Sequence, residues 1–205
     1  MDEALRSLTE RLRTEAGAGT SAAYERLAAT EDPDVLAAAL TEPGQPLWAR
    51  ELAAFRLGTA GDRRAFEALV LLLNHRDPRR CASAAHALAR LGDPRTARAA
   101  AALATNELRV AYALQPVRLL VELRAPEAVP ALITTLERRL SPHDPYRKVA
   151  LACADGLGVL GDARARPVLN EALAHPALAE TAVRALARLP EEQVQPPGRR
   201  SSGSS

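Results

Sequence analysis

The sequence predicts an all-α protein built as a superhelix of about five helical pairs, that is, an α-solenoid. Three observations support this: the composition, a repeat along the chain, and a recurrent turn inside each repeat. Of the 205 residues, 44 are Ala and 32 are Leu, whereas aromatic residues make up only 3%. Ala and Leu are the strongest helix formers, and strands favour β-branched and aromatic residues. The composition therefore argues against an all-β fold.

The repeat emerges when the chain is aligned with itself. Segments 53–73, 84–104, 116–136 and 153–173 align without internal gaps, and a fifth copy begins at 181 and stops halfway. Equivalent leucines of successive copies are 31, 32, 37 and 29 residues apart, and the longest interval contains the additional loop SPHDPY. Two apolar columns run through all five copies: Leu57, Leu88, Leu120, Leu157 and Leu186, then Ala60, Leu91, Leu123, Leu160 and Leu189.

Each copy is predicted to form a helix, a tight turn and a second helix. The glycines of LGTAGD and LGD are assigned to the turn, where Gly can adopt the left-handed conformation that ends a helix. The aspartates that follow are placed to cap the next helix by accepting its free backbone N–H groups. They are Asp62, Asp93 and Asp162. The second helices bury further columns, Phe66 with Val129, and Leu69 with Leu132 and Leu169.

The third copy departs from this pattern. Arg124, Ala125 and Pro126 replace the Gly-Asp-Pro of the turn, which predicts a weaker cap for its second helix. Pro116 lies in the predicted first helix and is expected to kink it, because proline cannot donate a backbone hydrogen bond.

The ends of the chain differ from the repeats. Residues 1–44 are predicted to form an N-terminal helical capping segment, with an amphipathic helix over 1–16 and short helices near 22–29 and 33–41. Residues 45–190 form the repeat array. Residues 191–205 have the composition of a disordered tail.

The pattern L-G-D-x-R-A-x-x-x-L, with D-P-x-x-R before the next helix, resembles the HEAT-like repeats of the phycobilin-lyase type. Segments 75–93 and 92–100 match this pattern most closely, and the resemblance covers about residues 45–190. It implies a right-handed solenoid whose second helices line a concave face.

Charge and hydropathy exclude several classes of protein. The 27 basic and 25 acidic residues give a net charge of +2, too balanced for a protein held to nucleic acid mainly by charge. Apolar runs such as 68–73 are far shorter than the ~20 residues of a membrane span. The charged N-terminus lacks a signal-peptide core, so a cytoplasmic protein without membrane contact is expected. Cys81 and Cys153 are expected to be buried free thiols.

No motif indicates catalysis. His75, His143 and His175 fall in loops between repeats and are interpreted as polar loop residues, not as metal ligands. His86 is expected to be a partly buried helix residue. We therefore expect no catalytic residue, no metal and no cofactor, and hence no enzymatic activity.

A ladder of arginines is the most distinctive polar feature of the repeats. Arg64, Arg95 and Arg164 occupy the same repeat position, and Glu127 interrupts the series. These arginines either bind an anionic partner or pair with the turn aspartates of neighbouring repeats. The structural interpretation is favoured, because an aspartate at a helix start also complements the helix dipole.

The leading hypothesis is a scaffold or adaptor that presents its concave face to a protein or peptide partner. A DNA-glycosylase-like protein and a phycobilin-lyase-like subunit are the alternatives. Nucleic acid is disfavoured because Trp48, Phe55 and Phe66 do not converge on one place to hold a base. The candidate partner-binding residues are Arg64, Glu67, Arg95, Arg98, Glu127, Thr134, Arg138, Arg164, Asn170 and Glu171.

Overall fold

The structure, a computed structural model, describes residues 3–141 and 143–191, and these residues form helices and connecting turns without a strand. The prediction of an all-α fold is confirmed. The predicted tail, 191–205, lies outside the described residues except for Glu191. The α-helices are α1 (Glu3–Ala16), α2 (Ser21–Ala29), α3 (Pro33–Thr41), α4 (Leu47–Thr59), α5 (Phe66–Leu73), α6 (Pro78–Leu91), α7 (Thr96–Ala104), α8 (Leu114–Leu123), α9 (Ala128–Glu137), α10 (Arg147–Leu160), α11 (Arg166–Ala172) and α12 (Ala179–Leu186).

The repeats stack as two layers of helices. The first helices of the repeats, α4, α6, α8, α10 and α12, pack against one another in chain order. The second helices, α5, α7, α9 and α11, do the same. Each repeat contacts its neighbours in sequence, which is the arrangement of a stacked helical array. The core lies between the two layers.

The first predicted leucine column lies in this core, whereas the second is buried only at Leu91 and Leu189, with Ala60 exposed and Leu123 and Leu160 half-buried. Leu57, Leu88, Leu120 and Leu157 are buried, and Leu186 is half-buried in the last helix. On the second helices Leu69, Leu132 and Leu169 are fully buried. Phe66 and Val129 are nearly fully buried. Because every helical pair supplies part of the same continuous core, no pair is stable without its neighbours.

The first helices approach one another most closely at one pair of repeat positions. At this point the residue that follows the column leucine of one helix contacts the residue that precedes the column leucine of a neighbouring helix. Gly58, which follows Leu57, and Ala87, which precedes Leu88, are one such pair. A Cβ atom on Gly158 would lie 2.6 Å from Ala185 Cα, and one on Gly156 would lie 2.5 Å from Val121 Cγ2. A Cβ on Gly58 would lie 3.1 Å from Ala87 Cβ and 2.6 Å from Leu69 Cδ1. These crossings therefore require a small residue on at least one side.

The position of Gly58 corrects the sequence analysis, which assigned the glycines of LGTAGD to the turn. Gly58 is buried inside α4, where it permits close packing against α6. Gly61 is the residue that serves the turn, with a φ of 81°.

The turns of the other repeats form as predicted. Gly92 and Gly161 adopt the left-handed conformation. In the third copy Arg124 takes the same conformation with a φ of 50°, although a side chain there is unfavourable. Asp62, Asp93 and Asp162 each accept a backbone N–H from the residue two positions later, at 3.0, 2.9 and 2.9 Å. Helix α9 of the third copy has no side-chain cap, as predicted.

The prediction that Pro116 kinks its helix is wrong. Helix α8 begins at Leu114, so Pro116 lies in the first turn, where backbone N–H groups have no partner within the helix. The irregularity lies upstream instead, in a 3-10 segment over Glu107–Tyr112 with non-helical backbone at Arg109.

Helices α1, α2 and α3 lie close to the positions predicted for the N-terminal segment. Helix α1 packs on α4 and α6 and buries Leu8 and Leu12. A cluster of charges joins α1, α4 and α6. It is centred on Glu51 of α4, which is only 1% exposed. Its carboxylate accepts hydrogen bonds from Arg11 of α1, Arg80 of α6 and Ser83 of α6.

Arg80 is also buried and donates to Glu15 of α1 at 2.5 Å. The charges of Glu51 and Arg80 are therefore held away from water and are satisfied by each other, by Arg11 and Glu15 of α1 and by Ser83 of α6. The cluster attaches the N-terminal helix to the first two repeats.

Substitution of Gly158 by Ala tests the close approach of α10 and α12. Alanine in a helix interior is favoured over glycine by about 1 kcal/mol, but overpacking costs about 1–3 kcal/mol, so a net loss of stability is expected. Urea unfolding measures the difference. Gly19→Ala is the control, because nothing lies within 4 Å of its Cβ position. If Gly158→Ala is as stable as the wild type, the crossing is not sterically limited.

Substitution of Glu51 by Gln tests the buried cluster. Removing this charge leaves the buried Arg80 with Glu15 as its remaining close counterion and takes the Glu51 charge from Arg11, which is expected to cost about 3 kcal/mol in the free energy of unfolding. The control is Glu180→Gln, which removes an exposed pair with Arg184 and is expected to cost less than about 0.5 kcal/mol. Equal losses in the two variants would contradict the account.

Candidate functional site

Of the ten candidate partner-binding residues predicted from the sequence, nine lie on the second helices or in the turns that precede them, and Arg138 adjoins this surface just after the end of α9. We call this surface the second-helix face. Eight of them are exposed, and Glu127 and Thr134 are half-buried. The exposed ones are Arg64, Glu67, Arg95, Arg98, Arg138, Arg164, Asn170 and Glu171.

The arginine ladder pairs with aspartates, but not with the ones expected. Each arginine binds the turn aspartate of its own repeat, whereas the sequence analysis favoured those of neighbouring repeats. Arg95 donates to both carboxylate oxygens of Asp93, at 3.0 and 2.9 Å, while its backbone N–H caps the same group. Arg164 binds Asp162 in the same way. The side chain two residues after the aspartate is closest to it, because both belong to one tight turn.

These bonds favour the ionised form of the aspartates. The hydrogen bonds from Arg95 lower the pKa of Asp93 to about 2, and Arg64 and Arg164 lower the pKa of Asp62 and Asp162. The arginines are correspondingly held in their charged form.

The ladder also joins successive elements. Arg64 contacts Asp34 of α3 at 2.7 Å, and Arg95 contacts Glu67 of the preceding second helix at 3.2 Å. Arg95 further lies over the Phe66 ring, 3.9 Å from its centroid, which is a favourable cation–π geometry. These two arginines therefore have a structural role.

Two arginines of the second-helix face, Arg164 and Arg98, remain available to a partner. Arg164 has Pro130 in place of the acid at the matching position of the preceding repeat, so its Nη1 has no hydrogen-bond acceptor among the described residues. Arg98 is exposed and makes no ion pair or hydrogen bond there either. Leu71 of α5 is 74% exposed on the same face. Its repeat equivalents are Thr134 and Glu171.

Arg138 lies at the far end of α9. It contacts Glu107 at 3.2 Å and donates to the backbone oxygen of Thr105 at 2.9 Å. It therefore links the ends of two repeats, a contact that no local pattern in the sequence indicates.

The histidines and cysteines have structural surroundings. The backbone N–H of Asp77 donates to His75 Nδ1 at 3.0 Å, and the partly buried His86 stacks on Phe55. Both cysteines are buried and free, as predicted. Burial raises the pKa of Cys81 to about 11 and also raises that of Cys153, so both remain protonated thiols at neutral pH. Within residues 3–141 and 143–191 no three His, Cys, Asp or Glu side chains converge as metal ligands would.

The large aromatic residues belong to the core. Trp48, Phe55 and Phe66 are buried, and Trp48 lies 5.8 Å from Tyr24 between ring centroids. These rings are not exposed for stacking on a base. In the part of the chain that the structure describes, no helix is long and apolar enough to cross a membrane.

Sequence reasoning missed two open grooves on the opposite surface, formed by the first helices. One, of about 760 Å³, lies between α1 and α6. The other, of about 490 Å³, lies across α8, α10 and α12. None of the ten predicted residues lines either groove. The signal was present in the repeat alignment, because equivalent outward positions of the first helices line both grooves.

One comparison with known proteins identifies a repeat. Residues 149–175, which cover α10 and α11 almost completely, match the family described as PBS lyase HEAT-like repeat. The match confirms the resemblance inferred from the sequence, and the helical pairs on either side extend the same architecture. No curated protein matches the chain.

The Asp93 pair predicts a pH dependence of stability. The folded pKa of Asp93, about 2, lies below the usual value of about 3.9. Its contribution to stability is therefore complete above that usual value and is lost as the pH falls toward 2. Asp93→Asn keeps a capping oxygen but removes the charge.

We expect Asp93→Asn to unfold at lower urea concentration than the wild type at pH 7. The difference should shrink between pH 4 and pH 2. A difference that is the same at pH 7 and at pH 2 would show that the charge of Asp93 does not stabilise the fold.

Proposed function

We propose that the chain is a non-enzymatic scaffold or adaptor that binds a protein or peptide partner along the second-helix face. The observation that carries the proposal is the regular placement of exposed side chains at equivalent positions of α5, α7, α9 and α11. Such a surface repeats at the spacing of the helical pairs and suits an extended partner.

The contacts within this face indicate which residues would meet the partner. The guanidinium groups of Arg64 and Arg95 are engaged within the protein and keep the repeats in register. No such role belongs to Arg98, to Leu71 or to the Nη1 group of Arg164. Arginines are enriched among the residues that supply most of the binding energy at interfaces, and an exposed leucine gains free energy when a partner covers it, so these residues are the proposed contact points.

The charge pattern also gives direction to a bound partner. At one end Leu71 and Arg98 offer apolar and basic contacts, and at the other Glu171 and Asn170 offer acidic and neutral ones beside the basic Arg164. A partner that presents an acidic segment near α7 and, near α11, a base for Glu171 beside an acid for Arg164 would match this order. Electrostatic complementarity of this kind fixes orientation more than it adds affinity.

Substitution of Leu71 by Ser together with Arg98 by Glu tests the proposal. The tagged wild-type protein is used to capture its partner from the source organism, and the purified partner is then titrated against each variant. The double variant is expected to bind at least about tenfold more weakly, because it removes one apolar contact and reverses one charge.

The control is Arg76→Glu, an equal charge reversal in the loop between α5 and α6, which should bind as the wild type does. Equal affinity of the double variant and the wild type would reject the second-helix face as the binding surface. A mobility shift with duplex DNA that weakens steeply with salt would instead support a nucleic-acid-binding protein.

A further inference from the structure

The surface of the first helices already holds one amphipathic helix. Helix α1 lies across α4 and α6 with Leu8 and Leu12 buried. Its polar side chains pair with charges on the same surface, Arg11 with Glu51 and Glu15 with Arg80. The protein itself thus shows how a helix binds to two neighbouring first helices: leucines one turn apart enter the surface, and charges beside them form ion pairs.

The repeat register extends the positions beneath α1 to the later repeats. The position of Glu51 corresponds to Leu114 in α8 and Leu151 in α10. The position of His86, which lines the groove beside α1, corresponds to Arg118 in α8 and Arg184 in α12. The groove across α8, α10 and α12 is therefore the counterpart of the α1 binding surface.

The floor of this groove is apolar. Leu114, Val121 and Leu151 are half-buried along it, and Ala152 lies beside them. Gly156 is buried at its base, and its missing side chain lowers the surface of α10 between the two flanking helices. The groove thus results from the same small residues that allow the helices to stack.

The rim of the groove is basic. Arg118 and Lys148 are exposed, and neither makes an ion pair or hydrogen bond with the described residues. Arg184 contacts the exposed Glu180 and the buried Thr181, each at 3.4 Å. The acid in the lining, Asp155, is paired with Arg188 at 3.1 Å. The charges that remain for a partner are therefore positive.

We propose that this groove binds an amphipathic helix of a partner protein whose leucine stripe is flanked by acidic residues. Apolar side chains at i, i+4 and i+7 would occupy the floor, as helix-in-groove complexes do. Glu or Asp side chains beside them would pair with Arg118, Lys148 and Arg184. This site goes beyond the proposed function, because it lies on the opposite face and specifies the chemistry of its partner.

The experiment uses a fluorescein-labelled 18-residue helical peptide with leucines at i, i+4, i+7 and i+11 and glutamates at the flanking positions. A matched peptide carries lysine at every glutamate, and another carries serine at every leucine. Fluorescence anisotropy measures binding to the full-length protein. The acidic leucine peptide is expected to bind, and the other two are expected to bind at least about tenfold more weakly.

The protein variant for this test is Arg118→Glu with Lys148→Glu, both exposed, with circular dichroism as the check of folding. It should bind the acidic peptide at least about tenfold more weakly than the wild type. Arg76→Glu, an exposed charge outside both surfaces, is the control and should bind as the wild type does, and Arg98→Glu reports any binding of the peptide to the second-helix face. Because Arg98 belongs to the other surface, failure here is separable from failure of the proposed function.

Three results would overturn the proposal: no binding of the acidic peptide, equal binding of the lysine peptide, or loss of binding in Arg98→Glu instead of the groove variant. Sedimentation equilibrium adds a fourth. Self-association of the wild type that the groove variant abolishes would assign the groove to a second copy of the chain and not to an acidic partner.

Discussion

The structure depends on the close approach of consecutive first helices at one pair of repeat positions. There is space for one side chain or for two very small ones, and the sequence meets this limit with Gly58 and Ala87, Val121 and Gly156, and Gly158 and Ala185. The abundance of alanine follows from the same limit, since closely stacked helices leave little room for larger residues. Aromatic residues are correspondingly few, and the core is spread along the array.

Polar contacts then fix the stacked pairs in register. Each turn aspartate caps a helix and binds the arginine two residues later, and in the early repeats that arginine also reaches an acid of the preceding element. The charges of the chain nearly cancel because they are used in these local pairs. The cluster around Glu51 is different, since it is buried and holds α1 on the first two repeats.

Local pattern allowed the sequence to predict the helical pairs, the buried columns and the capping aspartates. Features that depend on distant segments could not be predicted in this way. The role of Gly58 requires the position of Ala87 in the next repeat, and the burial of Glu51 requires α1, forty residues upstream of it. The shared surroundings of Arg64, Arg95 and Arg164 were predictable, because one repeat position recurs in the same place in each turn. The acids that Arg64 and Arg95 reach in the preceding element, and the depth of the grooves between first helices, emerge only when the repeats are stacked.

The steric limit at the helix crossings is tested most directly by a double-mutant cycle on Val121 and Gly156. The free energy of unfolding is measured for Gly156→Ala, for Val121→Ala and for the double variant. A Cβ on residue 156 would lie 2.5 Å from Val121 Cγ2, which Val121→Ala removes, and 2.9 Å from Leu132 Cδ2, which is the far end of a flexible side chain and remains. If the contact is crowded, the double variant should lose less free energy of unfolding than the two single variants lose in sum. The expected difference is about 1 kcal/mol or more. Additive losses would contradict the claim that one crowded contact sets the spacing of the helices.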